Sequence, residues 1–177
     1  ADPGLPPIDR TAKLFIGGKQ ARPDSGYSRK GLDPKGRVIG EVGEGNRKDL
    51  RNAVEAARAA AGWGNQTAHN RAQVVYYIAE NLAARAEEMA ARLARMTGDA
   101  AGARAEVDAS IERLFSCAAW ADKYDGAVHH TPLRNVTLAM PEAVGTIGIA
   151  CPDEAPLLAF VTLVASAIAM GNTVIAV

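Results

Sequence analysis

A strand–helix–strand pattern near the C-terminal end constrains this chain more than any other feature. Val144 to Ala150 (VGTIGIA) reads as a strand with two glycines, and Thr173 to Val177 (TVIAV) as a second. Between them Pro156 to Met170 is apolar around its circumference and stops at Gly171-Asn172. Two strands joined by a helix form a parallel pair with a crossover, the unit of an α/β sheet. Both strands read as buried on two faces, so the sheet needs further strands and a covering helix. The expectation is that residues 1–177 are a piece of a longer protein.

The rest of the sequence predicts a helical layer with short strands before it. Leu14-Phe15-Ile16 followed by Gly17-Gly18 reads as a strand and turn, Asp33-Pro34-Lys35-Gly36 as another turn, and Arg37 to Val42 as a half-buried strand. Asn46 is placed to cap a helix carrying Leu50, Val54, Ala57 and Ala61, closed by Gly62 and Gly64. A long helix is expected from Thr67 to Gly98, with Val74, Ile78, Leu82, Ala86, Met89, Leu93 and Met96 on its apolar stripe and Arg85, Glu87, Glu88, Arg92 and Arg95 in solvent. A third helix holds Val107, Ile111, Leu114, Phe115, Ala118 and Trp120, and stops at Gly126. Val136 to Met140 is a further strand candidate, and the Pro-rich residues 1–12 read as a linker.

Composition narrows the function. Lys+Arg and Asp+Glu are both 20, and a chain of zero net charge is a poor nucleic-acid binder. The run from Ala155 to Met170 is shorter than the roughly 20 residues a membrane span needs. Cys117 and Cys151 are too few for a disulfide scaffold or a four-thiolate zinc site. His129-His130 lack the companions of a metal site, and a surface loop is the simpler reading. Cys151 stands at a strand end before a helix, where a thiol can gain nucleophilic character, although a small apolar residue also suits that place. Asp153 and Glu154 invite a general acid–base reading, and helix capping is the simpler one. Trp120 and Tyr124 suit packing or a subunit contact.

Several segments in order carry a family resemblance. Ala119-Trp120-Ala121-Asp122-Lys123-Tyr124-Asp125-Gly126, then Pro141-Glu142-Ala143-Val144-Gly145, then Cys151-Pro152-Asp153-Glu154-Ala155-Pro156-Leu157-Leu158, then Gly171-Asn172-Thr173-Val174 resemble the aldehyde dehydrogenases in order and spacing. The resemblance runs from Leu14 to Val177. The Cys151 to Val161 segment is most similar to the second, degenerate module of family 16, in which two such modules share one polypeptide.

The resemblance implies a fold: α/β, with an N-terminal helical layer plus the start of a Rossmann-type parallel sheet over residues 13–177, and an oligomerisation-type β segment near 131–141. It also implies a parent activity, oxidation of an aldehyde to a carboxylate with NAD(P). In that chemistry a cysteine attacks the carbonyl, a glutamate activates water, and an amide side chain helps hold the oxyanion. The family positions of nucleophile and base fall beyond residue 177. The family's Pro-Trp-Asn corresponds to Pro152, Asp153 and Glu154, and an ionised Glu cannot donate to an oxyanion. The family's ribose-binding Lys corresponds to Val177. The resemblance therefore places cofactor contacts at Ala150, Cys151, Pro152 and Asp153, with no catalytic residue and no metal ligand in the chain.

A pyrophosphate in a βαβ unit is drawn to the helix N-terminus, and carboxylates there oppose it. The segment is therefore expected to be structural, with NAD(P) belonging to the parent family and not held here. Expected partners are a second copy in a dimer or a second aldehyde dehydrogenase module, with no nucleic acid and no membrane, in the cytoplasm. The alternatives are the N-terminal portion of an active NAD-dependent aldehyde dehydrogenase and a non-enzymatic helical interaction domain.

Overall fold

The computed structural model describes residues 11–177; most of the expected linker at 1–12 lies outside them. Two antiparallel hairpins come first: β1 (Leu14–Ile16) with β2 (Lys19–Ala21), and β3 (Ser28–Leu32) with β4 (Val38–Gly43). Gly17 and Gly18 turn the first hairpin at φ +62° and +78°, a two-residue turn that only residues tolerant of positive φ make easily. Ala12 bridges in parallel to Val42.

Helix α1 (Arg47–Ala59) begins at Asn46, whose side chain accepts from the N–H groups of Lys48 and Asp49 while the Asp49 carboxylate accepts from the Asn46 N–H. This reciprocal box satisfies donors that the first turn otherwise leaves free. Gly62 and Gly64 lie in a 3-10 turn, Ala61–Asn65, one residue past the C-cap Ala60.

The expected helix from Thr67 to Gly98 is two helices, α2 (Ala68–Ala84) and α3 (Ala86–Thr97). Arg85 leaves helical geometry at φ −110°, ψ 17°. Its guanidinium donates to both carboxylate oxygens of Glu88, at 2.9 and 3.0 Å, in the first turn of α3. Glu87 and Glu88 suit that N-terminus electrostatically. Of the expected stripe, Leu93 is buried and Leu82, Ala86 and Met89 pack against the core clusters, while Ile78 and Met96 are exposed; Ala72, Val75, Ala79 and Ala90 are buried positions the stripe left out. The buried positions are largely alanines, which large-residue counting passes over.

Helix α4 (Ala100–Trp120) packs against α2, α3 and α5 (Pro156–Ala169). Its buried face is Ala103, Val107, Ser110, Leu114 and Ala118, and Trp120 is exposed. One core cluster joins Val75, Ala79, Leu114, Ala118, Val161, Ala165 and Ala169; a second joins Ala90, Leu93, Ala103 and Val107. Short side chains at these contacts let the helix backbones come close. Leu157, at the start of α5, packs on both clusters.

After α4 a ribbon forms from β5 (Ala127–His129) and β6 (Thr137–Ala139). The strand at 136–140 is present, and β5 stands where a loop at His129 was expected. His129 and His130 are exposed. The C-terminal unit is as expected: β7 (Thr146–Ile149) and β8 (Thr173–Ala176) pair in parallel around α5. The strands are shorter and less covered than expected. Gly145 has φ +121°, so β7 starts at Thr146; within β7 only Ile149 is buried, and β8 is at most half-buried. Helices α1 and α5 both pack on this pair.

Candidate functional site

The carboxyl end of β7 is the place to which the sequence points. The Cys151 N–H donates to the Val177 carbonyl at 2.8 Å and the Val177 N–H to the Ile149 carbonyl at 2.9 Å, extending the ladder past the ends of both strands. Chain then crosses from sheet to helix through Pro152–Ala155. Ala150, Pro152, Asp153 and Glu154 are exposed and Cys151 is half-buried. The structure brings the sequence-predicted contacts Ala150, Cys151, Pro152 and Asp153 together on this one turn.

Ala155 is the N-cap of α5 and has φ +46°, ψ +59°, the one non-glycine with positive φ among the described residues. Left-handed geometry costs an L-residue about 1–2 kcal/mol. Pro156 follows at the first helical position, where a missing N–H costs nothing.

The capping expected of Asp153 and Glu154 is not there: no hydrogen bond from either side chain reaches the helix start. The left-handed Ala155 stands between them and the helix, and another carboxylate has taken the donors. Glu106, from α4, accepts from the Leu157 N–H at 2.7 Å and the Leu158 N–H at 3.1 Å through one oxygen. Sequence reasoning missed this residue. Its signal was available: Glu106 lies three residues after Ala103 and four before Ser110, on the core-facing side of α4, where a carboxylate needs donors.

The other end of α5 is closed as fully. Trp63 Nε1 donates to the Ile168 carbonyl at 2.8 Å, Arg71 Nε to the Ala169 carbonyl at 2.9 Å, and Asn172 Nδ2 to the Ala167 carbonyl at 3.1 Å. Asn172 Oδ1 also accepts from the Gly145 N–H at 2.9 Å, tying the helix end to the start of β7. An anion at the N-terminus and a cation at the C-terminus both complement the helix dipole. Gly171, at φ +85°, lies against Gly64, where the 3-10 turn approaches this end.

The entrance of α5 already holds an internal anion, Glu106. The N–H groups of Leu157 and Leu158 are used by Glu106, and Asp153 and Glu154 add negative charge beside them. Val177, the position that the resemblance gives to the family's ribose-binding Lys, carries an exposed apolar side chain.

Elsewhere the candidates are weaker. Burial pushes the Cys117 thiol up. His69 Nδ1 lies 3.9 Å from Asp122 on the surface. No group of His, Cys, Asp and Glu among the described residues is arranged to hold a metal. Trp120 and Tyr124 stack obliquely at 6.2 Å with both rings exposed, so they pack on each other and not into the core. An apolar cleft of about 1160 Å³ runs beside β8, between Leu14, Phe15, Leu50, Trp63 and Val174, and includes none of Ala150–Asp153.

A model described as the aldehyde dehydrogenase family matches residues 22–176. The chain belongs to that family. Among curated relatives it is 32% identical over 173 residues to the cytosolic 10-formyltetrahydrofolate dehydrogenase of Mus musculus, covering 92% of this chain and 19% of that protein. It is 32% identical over 181 residues to the mitochondrial benzaldehyde dehydrogenase of Antirrhinum majus, covering 98% and 34%. Among solved structures, betaine aldehyde dehydrogenase of Staphylococcus aureus in complex with NAD+ superposes with a TM-score of 0.90 at 27% identity, over 93% of this chain and 34% of that one. An NAD-dependent aldehyde dehydrogenase of Sinorhizobium meliloti gives 0.90 at 28%, over 96% and 35%. The chain thus spans between a fifth and about a third of these relatives' lengths. Its fold is an aldehyde dehydrogenase-like α/β arrangement, the helical layer followed by a parallel βαβ unit. No helix among the described residues is long and apolar enough to cross a membrane.

Proposed function

We propose that residues 13–177 serve an aldehyde-oxidising, NAD(P)-linked protein as a structural and assembly segment, and do not themselves perform the oxidation. The observation that carries this reading is the entrance of α5, where Glu106 takes the helix donors and Asp153 and Glu154 stand outside them. Glu154, at the position of the family's amide donor, repels a developing oxyanion when ionised. The Cys151 to Val161 segment supports a narrower placement, a degenerate module of the family 16 kind.

Assembly would run through the β5–β6 ribbon. Val128 and Leu138 face each other across it, and Val136 and Met140 flank it, all exposed. A two-stranded ribbon is marginal alone in water and gains stability from a third strand. The partner is a second copy in a dimer or a second module of the same family, and the setting is the cytoplasm. The cleft along β8 is where further strands and a covering helix of such a protein would pack.

Titration with NAD+ tests the reading. A ligand that binds only the native state raises the unfolding midpoint. The chain is expected to show no rise with NAD+ in the millimolar range, and a saturable rise overturns the structural assignment. A second reading, the opening portion of an active NAD-dependent aldehyde dehydrogenase, draws on the likeness to NAD+-bound enzymes and predicts that rise.

A further inference from the structure

We propose that Glu106 is a positioning residue, an internal anion that holds the strained turn between β7 and α5 and thereby sets where Asp153 and Glu154 stand at the sheet's carboxyl edge. Four observations converge on it. Ala155 keeps a left-handed backbone although it is not glycine, and such geometry persists only where the surroundings over-determine it. Among the described residues, the one side-chain acceptor for the N–H groups just after that turn is Glu106, fifty-one and fifty-two residues earlier in the chain. Its own helix is fixed, because Val107 is fully buried beside it and Ser110 Oγ donates to the Glu106 carbonyl at 2.7 Å. Leu157, the residue whose N–H it holds most closely, packs on both core clusters. The carboxylate therefore links the rigid helical layer to the one exposed turn on which the family-derived contacts gather.

The turn's importance rests on the function proposed above, but its positioning is measured independently of any cofactor. Amide hydrogen exchange at Leu157 and Leu158 in the full chain is the readout, in the unsubstituted protein, Glu106→Gln and Glu106→Met. Gln keeps an acceptor oxygen; Met keeps length and packing and removes the acceptor. Losing a hydrogen bond to a charged group corresponds to about ten- to a hundredfold faster exchange at those two amides. That acceleration is expected in Glu106→Met, while Glu106→Gln stays within about threefold of the parent. Equal behaviour of the two variants, or unchanged protection in Glu106→Met, overturns the proposal. Should Glu106→Met fail to fold, a through-hydrogen-bond NMR coupling between the Leu157 nitrogen and the Glu106 carboxylate carbon in the unsubstituted chain decides: its detection supports the assignment and its absence overturns it. Failure of the NAD+ titration leaves these results untouched, so the two readings fail separately.

Discussion

Replacing Arg71 with methionine probes how the C-terminal end of α5 is held. The guanidinium donates to the Ala169 carbonyl at 2.9 Å and also to the Gln66 carbonyl, so one side chain joins the helix end to the chain just before α2. Methionine keeps most of the stem's packing and removes every donor. A hydrogen bond from a charged group contributes about 1.5–3 kcal/mol, and a cation at a helix C-terminus adds about 0.3–1 kcal/mol. The bond to Gln66 is exposed and counts for little, so the expected loss is about 2 kcal/mol. For a chain of this size that corresponds to a midpoint lower by about 4–8 °C. Urea unfolding followed by circular dichroism, with an unchanged slope, measures it. Arg92→Met is the matched control: Arg92 pairs with Glu88 on an exposed helix face, where such pairs contribute about 0.3–0.5 kcal/mol. If Arg71→Met loses no more than Arg92→Met, the account of α5's closed end is wrong.

Glu88 is held down to about 2 by the hydrogen bonds from Arg85 and then Arg92. A depressed folded-state value means its stabilisation is present above the unfolded value near 4.5 and is lost as pH falls toward 2; a carboxyl-carbon NMR titration in which Arg85→Met does not raise that midpoint contradicts the pairing. Leu114→Ala, in the centre of the α2–α4–α5 cluster, is expected to cost about 2–5 kcal/mol by denaturant unfolding, and a loss under 1 kcal/mol speaks against the packing. Ala155→Gly removes the left-handed penalty and is expected to be neutral or to stabilise by up to about 1 kcal/mol; a clear destabilisation says that the turn does not hold positive φ in solution.

The βαβ unit was legible because its period and length leave few alternatives: α5 is too apolar for a surface helix, and Thr173–Ala176 is a β-branched run. The Asn46 cap was legible for the same local reason. The break at Arg85 was hidden because no Gly or Pro marks it; it follows from α2 and α3 each packing along α4 and from the Arg85–Glu88 pair. The stripe was legible at Leu82, Met89 and Leu93, but its alanine part was hidden because alanine carries little weight in a hydrophobic pattern, yet Ala72, Ala79 and Ala90 sit where the helices meet. At the site, the sequence misjudged what caps α5. Glu106 is distant in sequence, and only the tertiary packing of α4 on α5 brings its carboxylate to Leu157. Proximity along the chain made Asp153 and Glu154 the obvious caps, and the left-handed Ala155 is what separates them from the role.

Crystals of the chain soaked in NAD+ address the underlying claim most directly, because they look at the disputed atoms themselves. The expected map shows Glu106 still accepting from the Leu157 and Leu158 N–H groups, with no phosphate density beside them. A dinucleotide phosphate bound to those two N–H groups, with the Glu106 side chain displaced, would contradict it.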